Sequence, residues 1–195
     1  LIFFGRLHGM SKREARARAW ELLELVDLTD AARLRSGFYS HGMQKRLSIA
    51  RALLTGPSVL LIDEATHDLD ELLPQVDVLS LHCPLTPATQ GLIGARELAR
   101  MKPAALLINT ARGALVDSQA LADALRAGRL GGAAIDVLPQ EPPVDGNPLL
   151  APDVPNLIVT PHVAWAAREA RQRCLDEMAA NVEDFARGGH RGRVV

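Results

Sequence analysis

A chain of 195 residues, 48% hydrophobic and 23% charged, has the composition of ordinary globular material and is long enough for one domain or a small pair. Its formal net charge of -1 provides no bulk positive field to draw in nucleic acid or anionic membrane. With 4% aromatic residues it also has few stacking platforms for single strands.

The opening Leu1-Ile2-Phe3-Phe4 is too short for a signal-peptide core, and a start at Leu rather than Met is what a fragment shows. Residues 11–27 are predicted as a helix: Ser11 and Glu14 have capping-box spacing, and Trp20, Leu23 and Val26 fall on one face. A second helix is predicted over 42–55, stopped by Gly56-Pro57. Val59-Leu60-Leu61-Ile62 is a continuous apolar run of strand length, ending in Asp63-Glu64. Such runs suit strands of a parallel sheet buried on both faces.

From residue 71 the rhythm is regular. Strands are predicted at 76–82, 105–110, 131–137 and 156–160. Helices are predicted near 95–101 and over 117–127, the latter with Asp117 as N-cap and Gly128 closing it. Alternation of this length marks a parallel sheet with crossover helices. The proline-rich segment 139–155 is expected as an extended surface loop. Residues 164–187 are predicted as a long helix, with the tail beyond Gly188 expected to fray. No apolar run approaches the roughly 18–20 residues that span a bilayer. The two cysteines, Cys83 and Cys174, lie far apart without metal-ligand spacing, which argues against a disulfide framework or metal site and fits a reducing, cytoplasmic setting.

Ligands of open parallel sheets bind beyond the carboxyl ends of the strands. The sequence places Arg112 there after the second of these strands, Asp136 at the end of the third with Glu141 a few residues on, and His162 after the last. A guanidinium can grip a carboxylate through two parallel hydrogen bonds, and a histidine can pass a proton to a carbonyl oxygen near neutrality. A nearby carboxylate favours the protonated ring. Each residue alone also fits a plainer role: Arg112 a surface ion pair, Glu141 a solvated loop carboxylate, His162 a turn cap, Cys83 a small buried filler.

Four motifs go further. Leu81-His82-Cys83-Pro84-Leu85-Thr86, then Ile108-Asn109-Thr110-Ala111-Arg112-Gly113, then Ala134-Ile135-Asp136-Val137 with Glu141-Pro142, and finally Val159-Thr160-Pro161-His162-Val163-Ala164-Trp165 occur in one order. From about residue 69 onward the chain resembles the NAD-binding domain of D-2-hydroxyacid dehydrogenases, most of all the glycerate dehydrogenase (hydroxypyruvate reductase) branch. The resemblance implies a partial Rossmann-like α/β parallel sheet with flanking helices, preceded by a helical segment, and hydride transfer between NAD or NADP and a small 2-oxo or 2-hydroxy acid. It implies that Arg112 binds the substrate, His162 donates the proton, and Glu141 pairs with His162. It further implies cofactor contacts from Cys83, Pro84, Thr110, Ala111, Arg112, Asp136, His162 and Ala164. A homodimer is implied, without nucleic acid or membrane insertion. The family's Gly-x-Gly-x-x-Gly diphosphate loop does not occur in the sequence, so cofactor binding is expected to be weakened.

The first seventy residues resemble a different family. Tyr39-Ser40-His41-Gly42-Met43-Gln44-Lys45-Arg46-Leu47, followed by Ala50-Arg51-Ala52-Leu53-Leu54, is similar to an ABC transporter ATPase signature. Leu60 to Thr66 is similar to its Walker B strand, and His67-Asp68-Leu69-Asp70 to its D-loop. That likeness implies nucleotide contacts by Ser40 and Gly42, a magnesium shell at Asp63 and water polarisation by Glu64. No Gly-Lys-Ser/Thr occurs to cradle phosphates, so ATP and Mg are not expected ligands. The two resemblances meet at Leu69-Asp70. The chain therefore reads as a chimera of residues 1–70 and 71–195, built either as one sheet of about five parallel strands or as an ordered C-terminal part with a loosely attached helical segment. Three functions stay open: the dehydrogenase, an ABC-type nucleotide-binding subunit, and a non-catalytic hybrid that binds neither nucleotide tightly, which the absence of both phosphate loops favours for this polypeptide. An exposed apolar sheet edge is expected.

Overall fold

The computed structural model describes residues 1–63 and 69–192. Two compact units are present, Leu1–Val159 and Thr160–Val195.

The first unit begins with α1 (Ile2–Leu7), α2 (Lys12–Leu25) and α3 (His41–Ala52). Ser11 caps α2 as its spacing demands: its side chain accepts from the Glu14 amide, and the Glu14 carboxylate accepts from the Ser11 amide at 2.8 Å. Of the expected face of α2, Val26 is buried and Leu23 is half-buried against the core, but Trp20 is 45% exposed; Ala15, Ala19 and Leu22 complete the buried stripe. Small residues on that stripe let α1 cross closely; a Cβ on Gly5 would stand 2.9 Å from the Ala15 Cβ.

The sheet follows: β1 (Val59–Ile62), β2 (Val78–Leu81), β3 (Leu106–Asn109), β4 (Gly132–Ile135) and β5 (Leu157–Val159). All five are parallel and stand in sequence order, each paired with its neighbour along the chain. Short helices α4 (Leu69–Leu72), α5 (Ala95–Arg100) and α6 (Ser118–Arg126) lie between successive strands up to β4. The Asp117 side chain caps α6 by accepting from the Gln119 and Ala120 amides, and Gly128 follows it at φ 63°. The proline-rich connection to β5 is not wholly extended, since it contains a 3-10 turn over Pro148–Leu150 that buries Leu149.

The register puts Leu60, Leu79, Leu107 and Ala133 in one buried row and Ile62, Leu81, Asn109 and Ile135 in a second row on the same face. Leu22, Val26, Ile49, Leu53 and Leu54 from the N-terminal helices belong to the same core. The helical segment is therefore packed into the sheet's core, and the loosely attached alternative does not hold. The opposite face is only partly covered: Val59, Leu61, Leu106 and Ile158 are exposed, while Ser80 and Gly132 are buried. Exposed apolar surface thus lies on a sheet face as well as at the edge strand β1.

The second unit holds the turn at His162 and the long helix α7 (Arg168–Ala186). Within the described residues the tail folds back onto the end of this helix. The Gly189 amide donates to the Asp184 carbonyl at 2.8 Å, and the Arg191 amide and guanidinium donate to Asp184 Oδ2 and Glu177 Oε2, both at 2.8 Å.

Candidate active site

The carboxyl ends of β3 and β4 assemble the most ordered part of the site. Asn109, fully buried at the end of β3, holds the following turn from both sides. Its Oδ1 accepts from the Ala111 amide at 3.1 Å, and its Nδ2 donates to the Arg112 carbonyl at 2.9 Å. The loop Thr110-Ala111-Arg112 is thereby fixed while the Arg112 side chain stays exposed, with Nη1 donating to the Ala111 carbonyl at 2.6 Å. Asp136, buried at 4% exposure, sits one strand over, and its amide donates to the Asn109 carbonyl at 2.9 Å.

Gly113 brings two loops together. A Cβ there would run into the backbone of Leu138 and Pro139, so only glycine permits the approach. On the far side of that contact, Glu141 Oε1 accepts from the Leu138 amide at 2.7 Å, and the Glu141-Pro142 peptide is cis. Arg112 and Glu141 thus belong to adjoining loops of one unit. His162 belongs to the other unit. It has φ 55°, its amide donates to the Thr160 carbonyl at 3.0 Å, and its own carbonyl accepts from Trp165 Nε1 at 2.8 Å. Ala164 lies in the same exposed turn.

At the end of β2, Cys83 is buried and Pro84 exposed. Burial pushes the Cys83 thiol above its ordinary value, the charge of Asp63 pushes the same way, and a backbone hydrogen bond opposes both. Thr89, buried, ties the loop down by donating from Oγ1 to the Pro84 carbonyl and accepting from the Thr86 amide, both at 2.7 Å. Neither Asn109 nor Thr89 stands out in sequence as a positioning residue. Their only signal is a short amide or hydroxyl side chain just before or inside a turn, where it can bond the local backbone.

Of the ABC-like residues, Ser40 is the N-cap of α3, its Oγ accepting from the Met43 amide at 3.3 Å, and Gly42 lies in the first turn. Asp63 is exposed at the end of β1. Glu64, with residues 65–68 of the Walker B and D-loop stretch, lies outside the described residues. Among the described residues no cluster of His, Cys, Asp and Glu is arranged to hold a metal, and no helix is long and apolar enough to cross a membrane.

Residues 56–164 match the D-isomer specific 2-hydroxyacid dehydrogenase, NAD binding domain, and residues 3–67 match the ABC transporter family. Both matches include β1. Glycerate dehydrogenase of Methylorubrum extorquens is 49% identical over 163 residues, covering 82% of this chain and 52% of the relative. That length reaches upstream of residue 69. Hydroxypyruvate reductase of Blautia hydrogenotrophica is 44% identical over 121 residues, 62% of this chain and 37% of the relative. The chain therefore spans about half or less of these curated relatives. The NAD-complexed D-isomer specific 2-hydroxyacid dehydrogenase of Lactobacillus delbrueckii ssp. bulgaricus shares the fold, with a TM-score of 0.57 at 23% identity over 92% of this chain and 69% of that one. With four ordered motifs, a five-stranded parallel sheet and a match over more than half its length, the chain belongs to the D-isomer specific 2-hydroxyacid dehydrogenase family, matching its NAD binding domain over residues 56–164.

Proposed function

We propose that this chain carries the nicotinamide side and the catalytic residues of a dehydrogenase that reduces a small 2-oxo acid, hydroxypyruvate or glyoxylate, with NADH or NADPH. The observation that carries the proposal is the Arg112 loop, pinned by Asn109 and pressed by Gly113 against the loop of Glu141. Arg112 grips the substrate carboxylate and carbonyl, His162 gives the carbonyl oxygen its proton, and Glu141 pairs with His162. Asp136, His162 and Ala164, with the loop from Thr110 to Arg112, contact the nicotinamide side, while Cys83 and Pro84 flank the adenosine. When bound, the cofactor supplies the hydride. The residues present fit its nicotinamide end, since a buried carboxylate and a fixed, exposed turn lie side by side at the sheet's carboxyl edge. They do not fit its diphosphate, because no glycine-rich loop occurs in the sequence. Binding is accordingly weak for the chain as it stands.

The relatives' names concern small hydroxy and oxo acids, and substrates of that class, a cytoplasmic setting and a homodimer belong to the same proposal. The division of origin near Leu69-Asp70 is likewise proposed, with residues 1–70 as an ABC-like remnant and not a working ATPase.

Titrating the chain with NADH while following cofactor fluorescence, then adding hydroxypyruvate or glyoxylate and following NADH loss, tests this reading. Saturable binding at micromolar to millimolar cofactor is expected. Replacing Arg112 by Gln lowers kcat/KM on the order of tenfold to a hundredfold by removing a charge-assisted pair. Absence of saturable NADH binding, with ATP alone quenching protein fluorescence, overturns it in favour of the ABC-like reading.

A further inference from the structure

We propose that the junction of α1 and α3 binds a small organic anion with a planar apolar body, its head held by Arg51 and His8 and its body lying against Phe4 and Leu54. A hollow of about 360 Å³ opens there, lined by Phe4, His8, Ser48, Arg51, Ala52 and Leu54. A second hollow of about 180 Å³ adjoins it and shares Phe4, Ser48 and Arg51. No acidic residue lines either one. Among the described residues, the ion pairs of the N-terminal segment, Arg18–Glu21 and Arg46–Asp27, do not involve Arg51.

Arg51 instead lies over an aromatic ring, its guanidinium carbon 5.4 Å from the centroid of Phe4. A guanidinium drawn to a ring by cation–π attraction uses none of its N–H donors on an oxygen acceptor and can still fork onto an oxyanion. The Ser48 hydroxyl is already committed to the Gln44 carbonyl at 3.1 Å, so the head-group donors are Arg51 and His8. Phe4 and the buried side chain of Leu54 supply an apolar floor. A cationic rim over an apolar floor complements an aromatic carboxylate or an aromatic phosphate monoester, and the volume lies at the small end of the range for ligand pockets. The site lies outside residues 56–164, so it stands or falls independently of the dehydrogenase reading.

Titration of the whole 15N-labelled chain, read by amide and side-chain shifts, tests the site with phenyl phosphate and benzoate. Inorganic phosphate and benzyl alcohol serve as the two halves of the ligand. Saturable shifts around His8, Ser48 and Arg51 are expected, with a Kd below about 1 mM for at least one aromatic anion and roughly tenfold weaker binding of each half. Whether phenyl phosphate or benzoate binds tighter identifies the head group. Arg51→Gln weakens binding about tenfold with the circular dichroism unchanged. Should that variant unfold, His8→Gln, at an exposed position, decides instead and is expected to weaken the anion but not benzyl alcohol. Unsaturable shifts, equal affinity for benzyl alcohol, or full affinity in both variants overturns the proposal.

Discussion

The buried amide of Asn109 donates to the carbonyl oxygen of Arg112 at 2.9 Å while accepting from the amide of Ala111 between them. One side chain therefore sets the path of the loop that presents the guanidinium. Asn109→Ala removes both bonds and leaves a void beside β4. A loss of about 2–3 kcal/mol is expected in urea unfolding. The Arg112 side chain also loses its fixed base, so on the proposed function NADH-dependent turnover is expected to fall more than stability alone explains. A variant with parental stability and parental turnover would show that the turn holds itself.

Gly113 meets the Leu138 backbone with no room for a methyl group. Gly113→Ala has to push apart the loops that carry Arg112 and Glu141. Overpacking of this kind costs about 1–3 kcal/mol. The unfolding midpoint should drop, and the amide shifts of residues 136–141 should move together with those of 110–113. Unchanged shifts across both segments would contradict the close approach.

Arg126 clasps Asp153 through two bonds, Nε to Oδ2 at 2.8 Å and Nη2 to Oδ1 at 3.0 Å. Those bonds hold the Asp153 carboxyl below its ordinary value of 3.8. A carboxyl lowered by folding contributes stability that is complete above its unfolded-state value and disappears as the pH falls through the folded-state value. Asp153→Asn should therefore be less stable than the parent at neutral pH, and the gap should close in the acid range below 3.8. Urea midpoints measured at both ends check the sign; a gap that widens on acidification would reverse it.

Cys83 is buried with a thiol raised by that burial, whereas Cys174 is exposed on α7. A thiol-specific reagent should label Cys174 quickly in the native chain and reach Cys83 only after denaturant is added. Rapid labelling of both in native buffer would place Cys83 at the surface.

Much of this fold is legible in the residues. Short apolar runs marked all five strands, because a strand between two neighbours must be apolar wherever a helix covers it, and Ser11 and Asp117 marked helix starts by their own hydrogen-bonding chemistry. Periodicity did not say which stripe of α2 turns inward. Trp20 outweighs alanine on any hydropathy scale, yet the close crossing at Gly5 demands the small side of the helix. The capture of the tail by Asp184 was hidden for a related reason, since a glycine-rich basic stretch carries no apolar pattern and owes its order to a few specific bonds. At the site, the chemistry-bearing residues were visible in their motifs. The anchors Asn109 and Thr89 were not, because their bonds are made to backbone whose path only the fold sets.

Strands that pair only with their sequence neighbours have a temporal consequence. As the polypeptide leaves the ribosome, each new strand meets its docking partner already waiting, so the sheet can grow one strand at a time from β1 to β5. Shortening the chain from its C-terminus, strand by strand, should then strip the sheet from one side without orphaning any strand in its middle.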